Sequence, residues 1–279
     1  MLNRREYFFY WKSTGAKVSE TVGIIGLGSV GAAVEAGMNS HFEIVGWDID
    51  GRGSLSGVLC SDIVFICVQT DGLDTNLLDV SAVFSSVKEL DQNRYKGLIV
   101  IKSTLQVGTM DSLQQDFPNL KLCYMPEYLR EKDAIEWFQN PDRLILSGEK
   151  EVCEIVLSYF GWVEESVPRL FMSHVEAELS KLAHNAFIAT KVTFTCEIER
   201  LSLLHGANPM SVMKGIWVDR RINNPAHLTP GLGGYDGKCV PKDTASLTSI
   251  DPDRDSLLHQ LQKRGSKSEV ENRMRREGL

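Results

Sequence analysis

Short apolar runs separated by polar, glycine-containing segments dominate the first part of the chain. The runs lie at residues 21–25, 43–47, 62–68, 98–101 and 120–124. Runs that are apolar without interruption are typical of strands buried on both faces of a parallel sheet. A helical pattern follows the first run directly. These features predict an α/β architecture in which helices cover both faces of the sheet.

A helical periodicity replaces this pattern in the second part of the chain. Ser173 and Glu176 have the spacing of a capping box, which marks a helix N-terminus. The helical pattern continues to about His205, where Gly206 and then Asn208 and Pro209 end it. A helix of this length spans about 45 Å, and such helices usually cross a domain boundary or form a subunit interface. A shorter helix is predicted to follow.

Composition narrows the class of protein. The chain has 279 residues, 43% of them hydrophobic, which is enough for two ordinary domains. The formal net charge of -7 argues against nucleic-acid binding as the main activity. The N-terminal apolar run at 7–11 is too short for a membrane span and lacks a signal-peptide cleavage pattern. The six cysteines lack metal-ligand spacing, so we expect no metal and a reduced, cytoplasmic setting.

A glycine-rich loop joins the first predicted strand to the first helix. Its sequence is Gly26-Leu27-Gly28-Ser29-Val30-Gly31, which is G-x-G-x-x-G between a strand and a helix. Such glycines permit a tight turn and close backbone approach to a pyrophosphate at the helix N-terminus. The residues expected to bind the dinucleotide here are Gly26, Gly28, Ser29, Val30 and Gly31. The alternative is a glycine turn in an unrelated α/β fold.

An acidic residue ends the second predicted strand. Asp48 lies roughly 20 residues beyond the glycine loop, where a carboxylate bonds the ribose 2′-hydroxyl and repels a 2′-phosphate. Asp48 therefore favours NAD over NADP, although Arg52 nearby leaves that choice open.

These patterns together predict the organisation of the chain. The fold class is α/β, with a Rossmann-like doubly wound parallel sheet followed by an all-α domain built on the long central helix. The predicted regions are an NAD-binding domain at 1–170 with an N-terminal extension at 1–20, a helical dimerisation domain at 171–250 that carries the cysteine loop, and a charged tail at 251–279. The extension is expected to form a strand or an arm, and the tail a solvated or frayed helix.

Polar residues follow several predicted strands directly. Ligands of open α/β sheets lie beyond the carboxyl ends of the strands. Four side chains are therefore expected to converge on one cleft: Thr70, Thr104, Glu127 and Glu131. Taken singly, each of them is better explained as a helix N-cap or a loop residue.

Two polar residues share one face of the long helix. Lys181 and Asn185 are four residues apart, and the neighbouring apolar residues predict that both are semi-buried. A lysine in apolar surroundings can be a catalytic group because burial disfavours its charge. The alternative is a solvated helix lysine.

A cysteine ends a loop rich in glycine, asparagine and proline. Cys239 precedes Pro241, and proline favours the first position of a helix, so Cys239 is expected to face a helix N-terminus that favours the thiolate. Asp243 is expected in the first turn, near the sulfur. A nicotinamide site suggests alcohol oxidation. A cysteine nucleophile beside it suggests further oxidation to an acid through a thiohemiacetal and a thioester.

Five longer motifs resemble the UDP-glucose/GDP-mannose dehydrogenase family, whose members are NAD-dependent enzymes that oxidise a nucleotide-sugar alcohol to a uronic acid. They are GIIGLGSVG at 23–31, KSTLQVGT at 102–109, MPEYLREKDAIEWFQNPDR at 125–143, AELSKLAHNAFIATK at 177–191 and GYDGKCVPKD at 234–243. Their order and spacing follow the family throughout most of the chain.

The resemblance implies roles for residues at matching positions. Cys239 would be the nucleophile, and Lys181 and Asn185 would stabilise the oxyanion of the thiohemiacetal stage. Asp243, Thr104 and Glu131 would hold the water used in hydrolysis, with Glu127 in the same catalytic cleft. Substrate contacts would come from Glu127, Tyr128, Leu129, Lys181, Asn185, Arg221 and Tyr235, and cofactor contacts also from Thr70 and Thr104. The long helix would form the core of a homodimer, and Arg221 would reach the substrate of the neighbouring subunit.

Three departures from the family pattern limit this resemblance. The family's third, C-terminal domain is not found after the Cys239 motif, so weak oxidation of nucleotide sugars by the chain alone is expected. The segment between Asp48 and Asp62 is short, which predicts that a strand and a helix are missing there. Asp236 replaces the usual glycine, and it could alter substrate choice.

Two other classes of protein remain compatible with the sequence. A two-electron β-hydroxyacid dehydrogenase has the same domain order and the same Lys-x-x-x-Asn spacing, but its chemistry needs no thiol. A truncated NAD-binding or assembly protein with little activity is the second alternative. The complete set of candidate catalytic side chains argues against it.

Overall fold

The structure, a computed structural model, describes residues 20–72 and 78–279. The predicted N-terminal extension at 1–20 lies outside the described residues except for Glu20.

The first part of the chain forms a mostly parallel sheet. Its strands are β1 (Thr21–Ile25), β2 (Glu43–Trp47), β3 (Ile63–Ile66), β4 (Leu98–Ile101), β5 (Lys121–Tyr124), β6 (Leu144–Gly148) and β7 (Arg169–Phe171), in the order β2-β1-β3-β4-β5-β6-β7. The strands from β1 to β5 pair in parallel. Strand β6 runs antiparallel to β5, and β7 runs parallel to β6. The predicted Rossmann-like sheet is confirmed, with one reversal of strand direction that the sequence did not indicate.

Helices cover both faces of this sheet. One face packs against α1 (Ser29–Met38), α5 (Ala134–Gln139) and α6 (Lys150–Ser158). The opposite face packs against α3 (Ser81–Gln92) and α4 (Thr109–Asp116). The central strands β3 and β4 are fully buried along their length, which explains their continuous apolar sequences.

Strand β2 is followed by an unusually short connection. Only the single-turn helix α2 (Leu55–Val58) separates it from β3, which pairs with β1. Strand β2 is therefore the edge of the sheet within the described residues, as the short segment before Asp62 predicts. The turn after β2 folds back on it, with Ser54 N donating to Gly46 O at 2.8 Å and a bridge between Trp47 and Gly53.

The long helix α7 (His174–Leu204) contains 31 residues and connects the two parts of the molecule. Ser173 is its N-cap and forms the predicted capping box with Glu176. The helix ends at the C-cap His205, so both predicted ends are confirmed. The remaining helices are α8 (Pro209–Trp217), α9 (Cys239–Ser249), α10 (Leu257–Gly265) and α11 (Lys267–Arg276), of which α8, α9 and α10 pack directly on α7.

The segment 251–279 differs from the predicted solvated or frayed tail. Helices α10 and α11 bury Leu261 and Val270 against Ala189, Val192 and Cys196 of α7. Leu257, Leu258 and Leu261 of α10 have helical spacing and indicate one apolar side, a signal that the prediction of a frayed tail overlooked, whereas α11 is strongly charged. The domain boundaries themselves stay predictions. None of the helices that the structure describes combines the length and apolarity of a membrane span.

Candidate active site

The glycine loop between β1 and α1 has the geometry of a phosphate cradle. Gly26 has a φ of +90°, and a Cβ there would lie 2.8 Å from the backbone of Cys67 at the end of β3. A Cβ on Gly31 would overlap the carbonyl oxygen of Gly26, so helix α1 could not approach the loop. Gly28, the N-cap of α1, faces open space and receives no side-chain cap. The loop therefore leaves room for a pyrophosphate beside the first turn of α1.

Asp48 lies directly beside this loop. Its Oδ2 accepts a hydrogen bond from the Leu27 amide at 2.6 Å. This bond is the main reason that the pKa of Asp48 lies below its ordinary value, so the carboxylate is ionised at neutral pH. Arg52 donates to the Leu27 carbonyl at 3.0 Å and lies 3.5 Å from Asp48. The loop, the helix N-terminus and Asp48 thus fit the pyrophosphate and ribose of a dinucleotide.

Cys239 is the first residue of helix α9 and is exposed. The sequence placed the helix start at Pro241, which is instead its third residue. The backbone amides of the whole first turn of a helix lack an intrahelical partner, so proline is tolerated at any position of that turn. Pro241 therefore marks the first turn of α9 and not its first residue. The sulfur still lies at the helix N-terminus, as predicted.

Asp243 follows Cys239 by one turn and therefore lies on the same face of α9. It is fully buried. Its Oδ2 accepts a hydrogen bond from Asn185 Nδ2 at 2.6 Å and lies 3.7 Å from Lys181 Nζ. Lys181 and Asn185 are themselves buried on α7. The predicted group of Lys181, Asn185 and Asp243 is therefore assembled across the contact between α7 and α9.

Lys242 links this group to the end of strand β3. Its Nζ lies 3.5 Å from Asp243 Oδ1 and 3.7 Å from Asp71. It also donates to the Thr70 hydroxyl at 3.4 Å. Thr70, a predicted cofactor contact, therefore lies within reach of the helix that carries Cys239.

Glu127 forms a buried ion pair that the sequence analysis missed. Its Oε2 lies 2.7 Å from Lys102 Nζ, which follows β4. Its Oε1 accepts hydrogen bonds from the amides of Tyr128 and Leu129 at 2.8 and 3.0 Å. Strands β4 and β5 are neighbours in the sheet, so residues that follow them meet at the same edge. The strand order could have indicated this pair.

Two cations lie close to the ring of Tyr128. The Arg143 guanidinium carbon is 4.0 Å from the ring centroid, and Lys181 Nζ is 5.3 Å from it. His184 packs edge-on against the same ring. Burial lowers the pKa of His184, so this histidine is neutral at pH 7 and adds no charge to the group.

The loop that contains Thr104 is fixed by the helical domain. Glu178 of α7 is fully buried and accepts hydrogen bonds from the amides of Gly108 and Met110 at 2.6 and 2.8 Å. Its burial raises the pKa of this carboxyl group. Ser246 of α9 donates to the Gln106 side chain at 2.6 Å. Neither contact has a local sequence signal, because each joins residues far apart in the chain.

Three candidate residues lie elsewhere or are not fully described. Arg221 is exposed and pairs with Asp219 at 2.6 Å, outside the group around Asp243. The Tyr235 side chain is buried in the helical core, and its hydroxyl donates to Leu261 O at 3.5 Å. Glu131 begins a 3-10 turn, and its side chain lies outside the described part of the structure. Substrate contact or catalysis by these residues stays a prediction.

The described residues contain no cluster of three or more His, Cys, Asp or Glu side chains arranged to bind a metal. They contain instead a glycine loop shaped to hold phosphate after β1, and a helix that begins at Cys239 and reaches the segment after β3 through Lys242. The fold and site define a dinucleotide-binding α/β protein with a helical second domain.

The family is established by two domain models. The model described as the NAD binding domain of the UDP-glucose/GDP-mannose dehydrogenase family matches residues 54–160. The model of that family's central domain matches residues 175–264. Together they cover more than half of the chain, which therefore belongs to the UDP-glucose/GDP-mannose dehydrogenase family. The first match begins after the glycine loop, whose assignment rests on the geometry described above.

Curated relatives and solved structures agree with this family. The UDP-glucose 6-dehydrogenase of Rhizobium meliloti is 34% identical over 215 residues, which are 72% of this chain and 48% of that protein. The chain thus spans about half the length of the curated relatives that it matches. A UDP-glucose dehydrogenase structure from Pyrobaculum islandicum matches 99% of this chain and 71% of its own, with a TM-score of 0.78 and 24% identity.

One solved structure belongs to a different class of enzyme. The 3-hydroxyisobutyrate dehydrogenase of Mycobacterium tuberculosis matches 92% of this chain and all of its own, with a TM-score of 0.65 and 14% identity. At such identities the likeness shows the fold alone, so the fold does not separate the two classes. The match to the family models does separate the two classes, and it confirms NAD as the cofactor.

Proposed function

We propose that this chain carries out the NAD-dependent oxidation of a nucleotide-sugar primary alcohol to a uronic acid. The observation that supports this most strongly is the position of Cys239 one helical turn from Asp243, which Asn185 and Lys181 hold at 2.6 and 3.7 Å. A two-electron dehydrogenase has no use for a thiol at that point. A four-electron dehydrogenase needs one to retain the aldehyde between its two oxidations.

The proposed reaction has four steps. The alcohol loses a proton and a hydride to give an aldehyde, and the Cys239 thiolate adds to the aldehyde carbon to give a thiohemiacetal. Loss of a second hydride gives a thioester, and water cleaves its carbon–sulfur bond to release the acid and the thiol. NAD, when bound, accepts the hydride in each oxidation, so two NAD are reduced for each sugar.

The charged groups around Asp243 have distinct proposed roles in these steps. Lys181 and Asn185 stabilise the oxygen anion of the thiohemiacetal, since their donor atoms reach the same buried site. Asp243 Oδ1 is buried, accepts no hydrogen bond from the described residues and lies 3.5 Å from the Lys242 ammonium, and we propose that it binds the attacking water. Thr104 and Glu131 are proposed to complete the water site. The Glu127 segment, including Tyr128 and Leu129, is proposed to bind the sugar.

A screen of NADH formation with UDP- and GDP-sugars tests this proposal. Four-electron oxidation yields two NADH per sugar, and Cys239→Ser should prevent formation of the acid. Cys60→Ser is a matched control because both cysteines are exposed and only Cys239 begins a helix in the site. One NADH per substrate with the parent chain would instead favour the β-hydroxyacid class.

We also propose that the chain forms a homodimer through α7 and acts in the reduced cytoplasm. Phe187, Phe194 and Leu201 are exposed apolar residues at seven-residue intervals, so they form one stripe along the helix. Phe194→Glu should give a monomer in light scattering at micromolar concentration. Ile155→Glu, at an exposed position on α6, should leave the dimer intact. A monomeric parent chain would exclude this interface.

A further inference from the structure

The junction between helices α10 and α11, residues 265–267, is bonded to the loop that precedes Cys239. The Tyr235 amide donates to Gly265 O at 2.9 Å, and the Lys267 amide donates to Tyr235 O at 3.2 Å. Tyr235 and Ser266 therefore form a parallel β-bridge. Both main-chain polar groups of Tyr235 are fixed by this junction.

Two glycines allow the backbones to come this close. Gly234 has a φ of +106°, and a Cβ there would lie 2.6 Å from Lys267 Cα. A Cβ on Gly265 would lie 2.6 Å from Cε1 of the Tyr235 ring. Contacts this short do not occur between real atoms, so a side chain at either position would separate the loop from the junction.

Side chains anchor the loop at both ends. The Tyr235 ring is buried with Val270 of α11 and Cys196 of α7. Val240, which follows Cys239, packs against the same cluster. Between these anchors the three residues at 236–238 are exposed, as is Cys239 itself. The position of the thiol therefore depends on where the two anchors are held.

We propose that the α10–α11 junction is a positioning element that sets the place of Cys239 at the N-terminus of α9. The match to the family's central domain ends at residue 264, so it does not include this junction. The catalytic part of the proposal rests on the proposed function of Cys239. The mechanical part, that the junction holds the loop, does not.

Lys267→Pro tests the junction with minimal disturbance of the helices. Lys267 is the first residue of α11, a position at which proline is favoured, and Ser266 already has the extended conformation that proline requires before it. Proline removes the amide that donates to Tyr235 O and places Cδ where the hydrogen pointed. Lys267→Ala is the matched control, because it keeps the amide and removes only the exposed pair with Asp236.

The first measurement is hydrogen exchange of the peptide 231–241. Loss of one backbone hydrogen bond should speed exchange there about three- to tenfold in the proline variant and not in the alanine variant. NADH binding should stay unchanged in both variants, and the melting temperature of the proline variant should fall by only about 2–4 °C, as loss of one hydrogen bond predicts. Equal exchange in the two variants would overturn the proposal.

The second measurement is turnover. The proline variant should lose kcat at least threefold with an unchanged KM for NAD, since the cofactor cradle lies on the other domain. A purely structural role for the junction would instead lower stability and leave kcat of the folded fraction unchanged. If the parent chain forms no acid, the proposed function fails, while the exchange result still decides whether the junction holds the loop.

A second pair of variants tests the same contact by substitutions in the loop instead of the junction. Gly234→Ala should increase exchange in the same peptide, because its Cβ would collide with Lys267. Gly231→Ala imposes the same left-handed strain at a φ of +91° but meets no atom within 4 Å. If both alanines have the same effect, strain alone is responsible and the junction contact has no positioning role.

Discussion

The site has two parts: a cofactor edge, formed by the glycine loop at 26–31 and Asp48, and a cysteine edge, formed by Cys239, Lys181, Asn185 and Asp243. Different kinds of chemical group stabilise these two parts. The cofactor edge relies on main-chain groups, namely the glycines that permit close approach and the first turn of α1, together with one partly buried carboxylate at Asp48. The cysteine edge uses buried charges that meet across elements, with Lys181 and Asp243 joining α7 to α9. Substitution by any residue other than proline leaves the main-chain groups in place. Buried charges can be removed, and each removal leaves an unpaired partner behind.

This difference predicts where single substitutions affect binding and where they affect catalysis or stability. Single substitutions at the cofactor edge should shift affinity moderately. Single substitutions at the cysteine edge should remove a chemical step or destabilise the contact between the domains.

The largest expected effect is that of Cys239→Ser. A serine hydroxyl is far less nucleophilic than a thiolate, and it leaves poorly from an acyl intermediate, so acid formation should fall to background. The amount of acid formed and the NADH count per sugar measure this. Two NADH per sugar at the parent rate in Cys239→Ser would refute the covalent mechanism, and Cys60→Ser should behave as the parent.

Removal of the Lys181 ammonium should have the next largest effect. Loss of one group that stabilises an oxyanion typically lowers the rate by about 10²–10³-fold. Lys181→Ala should therefore lower kcat by this factor in steady-state kinetics. Lys191→Ala lies on the same helix at a more exposed position and serves as the control. Equal kinetics in the two variants would remove Lys181 from the mechanism.

Asp243→Asn should weaken folding as well as catalysis. It leaves the buried Lys181 without its carboxylate, and breaking a buried pair in this way costs about 3–5 kcal/mol. Denaturant unfolding monitored by circular dichroism gives this value. Asp219→Asn breaks the exposed pair with Arg221 and should leave the midpoint unchanged. A stable Asp243→Asn protein would show that the charges at this edge are not coupled.

The smallest expected effect is at the cofactor edge. Asp48→Ala should narrow the preference for NADH over NADPH by about tenfold, the value of one charge-assisted hydrogen bond. Fluorescence titration of both nucleotides measures the ratio of their dissociation constants. The exposed acid Glu35 on α1 provides the control variant Glu35→Ala. Equal affinity of the parent chain for the two nucleotides would exclude the proposed role of Asp48.

The features that the sequence predicted best are those determined by residues close together in the chain. Continuous apolar runs located the strands, and the Ser173 capping box located the start of α7, because both signals are local. The glycine loop was recognisable for the same reason. The group of Lys181, Asn185 and Asp243 was also anticipated, through helix spacing and the family resemblance.

Contacts between distant elements were not predictable in the same way. The buried carboxylate of Glu178 caps α4 from another domain, and only the three-dimensional arrangement reveals its partners. The reversal of β6 likewise depends on how the chain crosses the sheet. The burial of α10 and α11 depends on a complementary surface of α7. That surface lies more than fifty residues earlier in the chain, so a local pattern cannot indicate the contact.

The turn that folds back on β2 has a consequence for the solution behaviour of the protein. An unpaired edge strand is a template on which another chain can add a strand and start aggregation. Here the hydrogen bond from Ser54 to Gly46 and the bridge between Trp47 and Gly53 occupy part of that edge. The short connection after Asp48, which leaves β2 at the edge of the sheet among the described residues, therefore also protects that edge.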